Sequence, residues 1–84
     1  MVTFAVIIEK GKRNFSAYCP DLPGVIATGK TEEDTIERMR GAIEFHLEGL
    51  REEKQSLPSP TSTVRKIQVP KRLFEKTNCH RVPA

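Results

Sequence analysis

Apolar residues open the chain in both parities. Phe4, Val6 and Ile8 fall on one face of an extended segment, and Thr3, Ala5 and Ile7 on the other. Two largely apolar faces predict a strand over Val2–Ile8 that is covered on both sides. Lys10-Gly11-Lys12-Arg13-Asn14 is polar and holds a glycine, which suits a hairpin connection. Phe15-Ser16-Ala17-Tyr18-Cys19 alternates again and predicts a second strand. Pro20-Asp21-Leu22-Pro23-Gly24 then gathers two prolines, an Asp and a Gly into five residues. Pro fixes φ and Gly admits positive φ, so a rigid turn is expected. Val25 to Thr28 makes a short third strand, closed by Gly29.

The period then changes. Ile36, Met39, Ile43, Leu47 and Leu50 recur at spacings of three and four, the apolar stripe of an amphipathic helix. Thr31 is placed to cap it, with Asp34 three positions later as an acidic variant of the capping box. Glu32, Glu33 and Asp34 set negative charge on the positive end of the helix dipole. Leu57-Pro58-Ser59-Pro60 cannot continue a helix, which is expected to fade between Arg51 and Gln55. Thr63-Val64-Arg65-Lys66-Ile67-Gln68-Val69 predicts a half-polar last strand, marked as an edge by its basic side chains. The expected fold is therefore α+β, ordered β-β-β-α-β. A right-handed crossover sets the last strand parallel to the first in a mixed four-stranded sheet with one main helix. One helix covers one face of such a sheet. The other face needs the tail, through Leu73 and Phe74, or a second copy of the chain.

Length and composition narrow this picture. Eighty-four residues and 9.5 kDa allow one small domain with a thin core, expected over residues 1–69 with a short basic tail at 70–84. Charged residues at 30% and hydrophobic ones at 37% exclude fibrous and membrane-embedded classes. The apolar run at the start is too short to span a bilayer, and it follows Met1 without a basic segment. A cytoplasmic protein with Cys19 and Cys79 as reduced thiols is expected. The formal charge of +3 hides an asymmetry. Residues 65–84 carry six Lys and Arg against one acid, net +5, while the rest holds eight basic and ten acidic residues, net −2. A basic end suits an acidic partner or nucleic acid, or is simply a solvated terminus.

Two segments, YCPDLPGVIATG (Tyr18 to Gly29) and KTEEDTIERMRGAIEFHLEGL (Lys30 to Leu50), together resemble the N-terminal domain of the HicB antitoxin family. The resemblance extends over roughly residues 1–69. It implies a partial RNase H-like fold and a protein that neutralises HicA, a small ribonuclease that cleaves messenger RNA, by occluding it. Many such antitoxins also repress their own operon through a C-terminal helix-turn-helix or ribbon-helix-helix domain. Lys71 to Ala84 is too short for a helix-turn-helix, so operator binding is not expected of these residues.

An RNase H-like fold raises the question of nuclease chemistry, which needs several acids converging on two metal ions about 4 Å apart. The first strand offers Glu9 alone, at its end. Glu32, Glu33 and Asp34 are explained by capping, and Glu37, Glu44 and Glu48 by a solvated helix face. Cys19, His46, Cys79 and His80 lack the paired spacing of a zinc site. The chain reads as a non-enzyme with no metal or cofactor. Binding signals are clearer. Phe45 projects opposite the apolar stripe at about 100° per residue, with Gly41 and Gly49 one turn to either side. Small residues around an aromatic let another surface approach; the alternatives are a lone exposed Phe or a contact covered by the tail. Tyr18, Asp21 and Leu22 are a second candidate partner surface, although turn geometry and core filling also explain them. Arg65, Lys66, Lys71 and Arg72 could meet RNA phosphates, without the aromatic ladder that single-strand stacking uses. Protein masking by a homo-oligomeric antitoxin, dimer or tetramer, is the expected function, and an orphan RNA- or protein-binding module the alternative.

Overall fold

The computed structural model describes residues 1–75. Three short strands, β1 (Ile7–Lys10), β2 (Phe15–Tyr18) and β3 (Ile26–Gly29), form an antiparallel sheet in that order. One long helix, α1 (Glu32–Glu52), follows, and a single turn of 3-10 helix (Lys71–Phe74) ends the described chain. The α+β class and the first four elements match the pattern of the sequence.

Each connection has a local cause. The Gly11 N–H donates to the Asn14 carbonyl at 2.7 Å and closes the hairpin between β1 and β2. Two β-turns in tandem join β2 to β3. The Leu22 N–H donates to the Cys19 carbonyl at 3.1 Å, and the Val25 N–H to the Leu22 carbonyl at 3.2 Å. Pro20 and Pro23 each occupy the second position of their turn, and Gly24 takes φ +89° at the third position of the latter. A type II turn demands positive φ there, which glycine alone adopts at no steric cost. At the helix start, Thr31 Oγ1 accepts the Asp34 N–H at 3.0 Å, the expected cap. Thr35 is fully buried, and its hydroxyl donates to the Thr31 carbonyl at 2.7 Å.

The helix lies over β3 and β2. Its Met39 meets Ala17, Cys19, Leu22 and Val25 in a small core, with Phe4, Val6, Ile8, Ile43 and Leu47 packed partly around it. In register, Ile8, Ala17 and Ala27 lie opposite one another across the sheet, on the face toward the helix. The helix ends before the prolines. The Gln55 N–H reaches the Leu50 carbonyl and the Lys54 N–H that of Arg51, with Lys54 at φ 59°. This is a Schellman termination with lysine in the left-handed position.

Two expectations about strands change. The first strand begins at Ile7 rather than Val2. Its partner β2 stops at Tyr18, where the chain turns at Pro20, so residues 2–6 run past the end of the ladder. The segment Thr63–Val69 forms no strand, and all residues from Thr61 to Glu75 are exposed. The described sheet thus has three strands, with β1 at one edge rather than inside. Leu73 and Phe74 are exposed as well, so this part of the tail leaves the second face of the sheet bare.

Candidate protein-binding surface

The tandem turns place Tyr18, Asp21 and Leu22 in three different settings. Leu22 is buried in the core, so a partner does not reach its side chain. Asp21 holds the chain that returns from the helix. Its Oδ2 accepts the backbone N–H groups of Thr61 and Ser62, both at 3.0 Å. Its Oδ1 accepts their hydroxyls at 3.0 and 3.1 Å. The two backbone amides, Ser62 first, hold the Asp21 carboxyl below the usual carboxylate pKa. Tyr18, 42% exposed, belongs to the bare face of the sheet.

That face carries an apolar row. Ile7 lies opposite Tyr18, and Tyr18 opposite Ile26, so the three side chains cross the sheet side by side. Ile26 is 68% exposed. It also lines an open groove of about 420 Å³ between β3 and the second half of α1, together with Phe45, His46 and Gly49. Phe45 is 81% exposed, the position that the helical period predicts. A Cβ added at either Gly41 or Gly49 would meet nothing within 4 Å among the described residues outside the helix's own backbone. Gly49 lines the groove and Gly41 does not. The structure therefore joins two features that the sequence keeps apart. Tyr18 and Phe45 border one apolar strip that turns around the β3 edge, and Ile26 is its corner. The sequence signal for Ile26 was present: Val25 and Ile26 are adjacent apolar residues, and only one of them can face the core.

Arg65, Lys66, Lys71 and Arg72 are all exposed on the projecting segment. Cys19 is buried, and His46 is half-buried at the groove. Cys79 and His80 lie outside the described residues. Among the described residues no three His, Cys, Asp or Glu side chains gather as a metal site would need. No described helix is long and apolar enough to cross a membrane.

Comparison with known proteins decides the family. Residues 4–76 match the family model described as the HicB-like antitoxin of bacterial toxin-antitoxin systems. The chain belongs to the HicB-like antitoxin family. It is also similar to a UPF0150 protein of Synechocystis sp., with 31% identity over 67 residues, 79% of this chain and 85% of that protein. UPF0150 is the HicB-like family. An uncharacterized 14.9 kDa protein from the rep-hol intergenic region of Haemophilus phage HP1 is 30% identical over 67 residues, 80% of this chain. This HicB-like chain spans half the length of that phage relative. No solved structure matches. The family match includes the tandem turns, the capped helix and the projecting segment, so the apolar strip and the Asp21 clamp both lie within it.

Proposed function

We propose that this chain is the antitoxin of a type II toxin-antitoxin pair, and that it binds and masks a HicA-type toxin that cleaves messenger RNA. The family match over residues 4–76 carries this reading. The strip of Tyr18, Ile26 and Phe45 supports it, because exposed aromatic side chains such as Tyr18 and Phe45 are enriched at protein interfaces. The antitoxin acts without catalysis, in the cytoplasm, where the messenger RNA is. Residues 1–69 form the masking unit, a homo-oligomer, and residues 70–84 its basic tail. On this reading Thr63–Val69, which forms no strand in the single chain, completes a four-stranded partial RNase H-like sheet once it is paired.

The test is co-expression with a HicA-type toxin, with the tag on this chain. A stoichiometric complex that suppresses RNA cleavage is expected. Purification of the chain alone, with cleavage untouched, overturns the masking role. Binding of RNA that falls steeply with salt, in place of the toxin complex, would assign the function instead to Arg65, Lys66, Lys71 and Arg72.

A further inference from the structure

The described chain carries both halves of a strand pair, and neither is used. Residues 2–6 continue β1 beyond its ladder with β2, and their outer edge faces no partner strand. Thr63–Val69 is an exposed segment of seven residues outside any helix or strand, as long as Val2–Ile8. Its Ile67 is 84% exposed, and Val69 lies two residues on, on the same face of an extended chain. An open groove of about 570 Å³ runs alongside β1. Phe4 and Val6 line one wall, and Ile36, Met39, Ile43 and Leu47 of α1 the other. A strand beside β1 with two apolar side chains toward the helix is the shape that fills it.

The connection decides which copy supplies that strand. Leu57-Pro58-Ser59-Pro60 is stiff, because each proline fixes its own φ and restricts the residue before it. Asp21 then grips Thr61 and Ser62 with four hydrogen bonds and sets the direction in which the chain departs. Beyond that grip the segment leaves its own sheet, and the radius of gyration is 17.0 Å, against about 12 Å for a compact chain of this length. A stiff hinge that points a strand away from its own sheet favours exchange with a second copy.

We infer that two copies of this chain form a dimer by reciprocal strand exchange. Thr63–Val69 of each pairs in parallel with Val2–Val6 of the other, and Ile67 and Val69 enter the partner's β1–α1 groove. This deepens the oligomer part of the functional reading and is independent of the toxin. The test is nuclear magnetic resonance on the full chain alone, in a dimer mixed from differently isotope-labelled copies. Inter-chain contacts between residues 2–6 and 63–69 are expected. A monomer, or a dimer in which these contacts arise only within one chain, overturns the proposal. Ile67→Pro provides the second arm. It takes the Ile67 side chain out of the partner's groove, at a residue that is exposed in the single chain. The dimer dissociation constant should rise at least about tenfold, with the helical circular dichroism unchanged. An unchanged constant also overturns the proposal. Since no toxin is present, failure here leaves the masking role standing.

Discussion

Asp21 and Gly29 show how much one position can decide in a chain this small. Both oxygens of Asp21 are engaged by Thr61 and Ser62, forty residues away, and the backbone amides lower its pKa. The sign follows directly. A carboxyl depressed in the folded state contributes its stabilisation above the unfolded pKa of about 3.9, and that contribution is lost as pH falls through the lower folded value. The amide resonances of Thr61 and Ser62 should therefore titrate with the Asp21 carboxyl, at a midpoint below about 3.9. Titration of Asp21 at the ordinary value, with still amides, would show that the clamp does not hold in solution. Gly29 is constrained by space. A Cβ there would sit 2.7 Å from Thr35 Oγ1 and 2.9 Å from the Thr35 nitrogen. Thr35 is fully buried in the first helical turn and tied to Thr31, so neither atom can yield. Gly29→Ala should destabilise the fold by about 1–3 kcal/mol, measured as a lowered urea midpoint.

At the scale of elements, the helix carries its own stop signal. Lys54 adopts φ 59° to let Gln55 and Lys54 donate to the last carbonyls. A side chain in that conformation costs about 1–2 kcal/mol, and glycine escapes this while losing more chain entropy on folding. Lys54→Gly should thus stabilise the fold by roughly 0.5–1 kcal/mol, read from thermal and urea unfolding together. A loss of stability would mean that the helix ends elsewhere. The helix ends inside the expected window of Arg51 to Gln55, but the left-handed Lys54 that ends it was not legible, because the prolines at 58 and 60 were the visible stop. What was legible is local: the alternation of Phe15–Tyr18, the Pro-Gly turns and the Thr31 cap, all of which fall where the residues indicate. Thr63–Val69 has a strand's pattern, but a pattern does not name the strand it pairs with. The Asp21 clamp was hidden for the same reason, since its partners are remote in the chain. Asp21 read as a turn residue or a surface contact, and the structure shows it fastening two distant segments.

Across the whole molecule, the two edges of the sheet are suited to different partners. The β1 edge presents an apolar groove and an unpaired extended segment, which a strand of identical chain fills. The β3 edge presents the strip of Tyr18, Ile26 and Phe45, which no described part of the chain covers. A three-stranded sheet between them keeps the two interfaces apart, so they should fail independently. Phe45→Glu places a charge at the centre of the strip, on an exposed helix position where the fold loses little. If the strip receives the toxin, an aromatic anchor of this kind accounts for 2 kcal/mol or more of binding, roughly a thirtyfold loss of affinity. Self-association, measured by sedimentation of the chain alone, should not change. Ile67→Pro should give the converse, a weakened dimer with the toxin affinity per chain preserved. Phe45→Glu that leaves toxin binding intact would move the toxin away from the β3 edge. A variant that weakened both assemblies would show the two edges to be coupled, and the division of the sheet between self and toxin would then fail.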